Sequence, residues 1–179
     1  MSYAVHRQTL APEQPIRYAV ADEAGGPLYT VERTNPLFDL SRQPVRFLSA
    51  DGSAVAELIP PEERNLWRAI NTYQIMLAGE ERPHYTIEQT YSLVDRILLR
   101  SPRYKLRSIG GCYVARGSRH GEHFYELFDG QGHYLGQIVR PSRGPTYLIE
   151  SDVPALMQMP LLLAALTVVI DLELAAIDV

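Results

Sequence analysis

The chain has 179 residues, 46% of them apolar and 21% charged, with 13 prolines, 12 glycines and a formal net charge of −4. That is the composition of about one globular domain, and it excludes a disordered chain, a collagen, a coiled coil and a small disulfide scaffold. The net charge supplies no global basic field for nucleic acid, and Cys112, the sole cysteine, excludes an intrachain disulfide and a thiolate zinc cage. The opening MSYAVHRQTLAPEQ has no charged start ahead of an apolar core, so no signal peptide is expected and the expected location is cytoplasmic.

In chain order, the texture is strand, turn, strand. Ile16 to Asp22 alternates around Ile16, Tyr18 and Val20, turns at Glu23-Ala24-Gly25-Gly26 and returns as Pro27 to Thr34. Val45 to Ser49 and Ala54 to Ile59 flank Asp51-Gly52, and Phe124 to Asp129 and Tyr134 to Val139 flank Gly130-Gln131-Gly132. β-Branched and aromatic residues around glycine-bearing turns are the hairpin signal. These three hairpins superpose without gaps. Asp22, Ser49 and Asp129 fill one column, with Gly25, Gly52 and Gly132 three places on. Leu28, Val55 and Leu135 follow, then Val31, Leu58 and Ile138. The uneven spacing of the copies excludes a fixed-period solenoid and suits a sheet of repeated hairpins.

Further strands are expected at Ala69 to Leu77, Pro83 to Tyr91, Tyr104 to Ile109, Gly111 to Gly117 and Pro145 to Glu150. The total is about ten to twelve within residues 16–150. Pro61 to Arg68 has the proline and acids of a helical first turn, and Ser92 to Leu99 has helical apolar spacing ahead of Pro102.

The carboxyl end differs from everything before it: Val153 to Ile170 holds 18 residues without a charge, and Asp171 closes the run. As a helix it would span roughly 27 Å, short of a hydrocarbon core of ~30 Å. No Lys or Arg follows Glu150, so no cationic anchor flanks it, and Gln158, Pro160 and Asp171 fit a membrane span poorly. A helix apolar all round is otherwise one surrounded by protein. Ten to twelve strands close into a barrel too wide for side chains alone, since about eight is the limit for that. The wide barrel and the apolar helix, about 154–173, therefore complete each other. The expected fold is a mainly β single domain over 1–179, a closed antiparallel barrel around a central C-terminal helix, with no transmembrane helix.

The YAVADEAGGPLYTVE opening, a W-x5-Y-x-I stretch (Trp67, Tyr73, Ile75), the YELFDGQGHYLGQIVR hairpin and a final apolar helix ending in Ile170-Asp171 occur in that order. This order resembles the tubby C-terminal-like superfamily, in particular its LURP-one-related and bacterial YxjI-like branch, related to the phospholipid scramblases. The resemblance implies the same closed barrel around a central helix. It also points toward membranes, because tubby proper binds phosphoinositides through basic side chains and the scramblases act on membranes with a calcium requirement. Fold likeness by itself does not transfer function.

Chemistry is sparse along the chain. His120 and His123 have metal-like spacing but fall in a turn without an obvious third ligand, and Cys112 on an apolar strand is expected to be a buried structural cysteine. Gly110, Gly111 and Gly117 fit no phosphate loop. Asp22, Asp51 and Asp129 are expected to cap turns. Glu150, Ser151 and Asp152 ahead of the helix are too few for the 6–8 oxygens calcium takes. No catalytic residue, metal site or cofactor is expected.

The informative feature is a basic tract with no acid from Arg96 to Arg119: Arg96, Arg100, Arg103, Lys105, Arg107, Arg116 and Arg119. Period two puts Arg103, Lys105 and Arg107 on one strand face, expected on the outer wall. Two readings stand. The tract is either a solvated face balanced by acids on neighbouring strands, or an anion-binding face formed by Arg103, Lys105, Arg107, Arg116 and Arg119. Lipid headgroups come ahead of nucleic acid in the second, because Tyr104 faces the other way. The expected function is a non-enzymatic intracellular binding module docking on anionic phospholipid or phosphoinositide through this basic face; the alternative is a structural or regulatory protein-interaction domain without a ligand site.

Overall fold

A computed structural model describes residues 1–8, 17–33, 44–61, 70–91, 95, 101–117, 124–141 and 144–175. Twelve strands form one closed barrel: β1 (Ser2–Gln8), β2 (Arg17–Asp22), β3 (Pro27–Arg33), β4 (Val45–Leu48), β5 (Ala54–Ile59), β6 (Ile70–Leu77), β7 (Tyr85–Thr90), β8 (Arg103–Ser108), β9 (Gly111–Gly117), β10 (Phe124–Asp129), β11 (Tyr134–Val139) and β12 (Thr146–Ser151). Each pairs antiparallel with its neighbour in sequence, and β12 closes on β1 with Val5 opposite Tyr147. Closure leaves no sheet edge to manage. Two helices follow, α1 (Pro154–Met157) and α2 (Pro160–Ala175).

The eleven expected strands are present, and β1 lies ahead of the stretch in which strands were expected. Its inward positions are Tyr3, Val5 and Arg7, of which only Val5 is an aliphatic residue, so its alternation is faint. The apolar run also divides where one helix was expected. Pro160 lacks an N–H and crowds the preceding turn, so the chain breaks at Gln158 and Met159, and the long helix starts at the proline. The helical expectation at Pro61 to Arg68 lies outside the described residues beyond Pro61; of Ser92 to Leu99 only Asp95 is described, and it is helical.

The three superposed hairpins share one geometry. Gly25, Gly52 and Gly132 have φ of 81°, 84° and 90°, and each N–H donates to the carbonyl of Asp22, Ser49 or Asp129 at 3.0, 2.9 and 3.1 Å. A register shift falls just before each turn, between Val20 and Ala21, Phe47 and Leu48, and Leu127 and Phe128. The last apolar column, Val31, Leu58 and Ile138, points into the barrel and is buried. These turns, with 78–84 and 109–110, sit at one end of the barrel, the turn end, and the opposite end is the far end.

Helix α2 fills the lumen. Every residue from Leu162 to Ile170 has no exposed surface, and inward side chains of all twelve strands face it, among them Val20, Phe47, Ile75, Leu106, Leu127 and Ile149. The only polar side chain in that stretch, Thr167, donates to the Leu163 carbonyl at 2.9 Å and so adds no unsatisfied group. No described helix is long and apolar enough to cross a membrane.

Candidate functional site: the basic face of β8 and β9

Strand β8 alternates strictly. Tyr104 and Leu106 are buried inward, while Arg103, Lys105 and Arg107 stand exposed on the outer wall. Pairing with β9 places Arg116 directly opposite Arg103, Val114 opposite Lys105 and Cys112 opposite Arg107. Four of the expected cations therefore share one patch. Arg119 lies outside the described residues, as do Arg96, Arg100, His120 and His123. Cys112 corrects an expectation: it shares the outer parity of Val114 and Arg116 and is half-buried rather than enclosed.

The four cations are not equivalent. Glu88 on β7 holds Arg107 in an ion pair at 3.0 Å. Arg103, Lys105 and Arg116 form no ion pair among the described residues. Thr90 flanks Arg103 on β7 and Glu126 flanks Arg116 on β10, yet the Arg116 guanidinium lies over the Phe128 ring, 5.0 Å from its centroid. Acids do border the face, one engaged and one not. Tyr104 is 1% exposed and inside the barrel, which removes it as a platform for nucleotide bases.

A second polar cluster, absent from the sequence reading, plugs the far end of the lumen. Asp171 accepts hydrogen bonds from Tyr18 at 2.7 Å, Tyr147 at 2.9 Å and Arg7 at 3.3 Å, with Arg140 at 3.8 Å. Glu173 points to the opposite wall and accepts from the Tyr73 hydroxyl. Burial first, and then the Asp171 charge, pushes the Tyr18 and Tyr147 phenols upward, so both remain donors. The signal in the sequence was an acid closing an apolar run.

The three aspartates expected to cap turns, Asp22, Asp51 and Asp129, are engaged with their own turns. The Asp22 carboxylate accepts from the N–H groups of Ala24 and Gly26, that of Asp51 from the Ser53 N–H and the hydroxyls of Ser49 and Ser53, and that of Asp129 from the N–H groups of Gln131 and His133. The Ser49 hydroxyl, with the Ser53 donors, holds Asp51 down to about 2, and His133 lowers Asp129. Among the described residues no group of three or more His, Cys, Asp and Glu side chains is placed to hold a metal ion.

A twelve-stranded closed barrel threaded by its own C-terminal helix is the class of protein the fold defines. No family model and no curated protein matches the chain. Among solved structures, the crystal structure of an Arabidopsis thaliana protein is similar at 15% identity with a TM-score of 0.51, over 91% of this chain and 89% of that one. At that identity the likeness shows the fold.

Proposed function

We propose that this protein is a non-enzymatic binding module of the tubby-like, LURP-one-related kind, cytoplasmic and peripheral to membranes, which docks on anionic phospholipid through the wall formed by β8 and β9. The observation that carries the reading is the set of three cations that form no ion pair among the described residues, Arg103, Lys105 and Arg116, exposed side by side on a protein whose net charge is −4. Each cation near an anionic bilayer contributes about 1 kcal/mol, screened over a Debye length of about 8 Å at physiological salt. Glu88, bound to Arg107, favours the second reading, a protein-interaction wall without a ligand site.

The test is vesicle flotation. Wild type binds phosphatidylserine-containing vesicles in low salt and releases in high salt, and ignores phosphatidylcholine. Replacing Arg103, Lys105 and Arg107 together by Gln weakens binding up to about a hundredfold, three contributions of about 1 kcal/mol. The melting temperature moves little, because the one ion pair lost, Arg107–Glu88, is exposed. No binding by wild type in low salt, or equal binding by both proteins, sinks the lipid reading in favour of the second.

A further inference from the structure

We propose that the far end of the lumen binds an ordered water molecule that links the hydroxyls of Tyr104 and Tyr125 to the Glu173 carboxylate. Both tyrosines are enclosed, Tyr104 at 1% and Tyr125 at 0% exposure. Neither hydroxyl has a hydrogen-bond partner among the described residues. Tyr18, Tyr73 and Tyr147, inward from β2, β6 and β12, behave differently: each donates directly to an acid of α2. Phenylalanine at Tyr104 and Tyr125 would fill nearly the same volume and enclose no polar atom. An enclosed hydroxyl without a partner gives up the hydrogen bonds it made to solvent in the unfolded chain, so native interiors hold few. Two of them in one layer mark a place for a shared partner.

The layer also supplies the neighbours that a buried water needs. The two rings lie 5.7 Å apart between centroids and are tilted by 57°. Their hydroxyls do not bond each other, and one water spans such a separation with two bonds. Between them, β9 contributes Ala115 opposite Tyr104, a single methyl group. Gln89, 2% exposed, faces Tyr104 across the β7–β8 pair, and its carbonyl already accepts from the Asn71 amide at 3.0 Å. What Gln89 has left is a donor, which cannot take a phenol proton. The acceptor on this wall is Glu173. Burial first, and then Tyr125 and Glu173, push the Tyr104 phenol well upward, and burial, with Tyr91 and Glu173, raises that of Tyr125. Both phenols stay protonated and need an acceptor. A water that accepts from both and donates to Glu173 makes three bonds, the usual number for a buried one. The second acid of α2 is then fastened to β6 directly and to β8 and β10 through solvent, as Asp171 is fastened to β1, β2 and β12.

A crystal structure of the full-length protein, at a resolution that shows ordered solvent, tests the site directly. A solvent peak is expected within about 2.5–3.0 Å of the Tyr104 and Tyr125 oxygens and of one Glu173 oxygen. No peak, a peak on one hydroxyl alone, or the two hydroxyls bonded to each other overturns the proposal. Thermal unfolding reads the same site without a crystal. Tyr104→Phe and Tyr125→Phe should each lower the melting temperature by about 2–4 °C, the effect of one net hydrogen bond in a domain of this size. The double variant should fall by less than the sum of the two, because one water serves both hydroxyls. Exposed Tyr134→Phe should leave the melting temperature unchanged. An unchanged or higher melting temperature for either buried variant means that its hydroxyl binds nothing. Strictly additive losses mean separate partners. Either result overturns the shared water.

Discussion

At the scale of single residues, the lumen is decided by two acids. A carboxylate at a helix C-terminus opposes the macrodipole, and a buried one needs full hydrogen bonding, so Asp171 and Glu173 stand only because tyrosines and arginines from the wall reach them. The partners of Asp171 lie between 24 and 164 residues away in sequence, which is why this cluster was not legible there while the Asp129 turn was. Asp171→Asn leaves Arg7 and Arg140 facing a neutral group. Removing one partner of a buried pair costs 3–5 kcal/mol, and the partial exposure of Arg7 lowers the expected cost to about 2–3 kcal/mol. Thermal unfolding should then shift down by about 4–12 °C, at 2–4 °C per kcal/mol for a domain of this size; exposed Asp152→Asn should shift it little. A shift no larger than that of Asp152→Asn would show that the cluster does not hold the helix. On the surface, Asp51 with a carboxyl near 2 stabilises its turn fully above the ordinary value of 3.8 and loses that contribution as pH falls toward 2. NMR titration should find its midpoint below the ordinary value of 3.8, and Ser49→Ala should raise it.

Among the elements, α2 shows what hydrophobic pattern fixes and what it leaves open. Its burial and place inside a wide barrel followed from 18 uncharged residues and a strand count, whereas its start at Pro160 did not. Its rotation did not, because a helix apolar on every side has no preferred face; the acids at its end, aimed at opposite walls, select one. Strands were legible wherever inward positions were aliphatic or aromatic, and β1 escaped where Arg7 took an inward place. The site was legible to the same degree: period two placed Arg103, Lys105 and Arg107 together, but only the β8–β9 register brings Arg116 beside Arg103. Leu163, Leu166 and Ile170 are completely buried against the wall, and truncating each to Ala should cost about 2–5 kcal/mol in a domain stable by about 5–15. Ending the chain after Ser151 should leave an empty lumen and an insoluble or molten product. A truncated protein that unfolds cooperatively as a monomer would refute the filling role of α2.

At the scale of the whole molecule, the described residues make the turn end acidic, and that bears on how the barrel would meet a charged surface. The turn end carries Asp22, Glu23, Asp51, Glu80, Glu81 and Asp129 in its hairpins, with Arg82 among them. Arg103, at the start of β8, and Arg116, near the finish of β9, lie toward the far end instead. Under the proposed docking, acids within a Debye length of an anionic bilayer would be repelled and the cations attracted, so the far half of β8 and β9 would arrive first. A polarity-sensitive dye tests this orientation. In a Cys112→Ala background, Thr90→Cys places it on the wall beside Arg103, and Ser53→Cys places it in an acidic turn; both sites are exposed. On anionic vesicles in low salt, emission at Thr90 should shift to the blue and become sensitive to lipid-borne quenchers, while emission at Ser53 stays that of water. High salt should return the Thr90 signal to its free value. Quenching at Ser53 with none at Thr90 would mean that the barrel docks by its turn end, against its own charge, and that contacts other than Arg103, Lys105 and Arg116 govern its orientation.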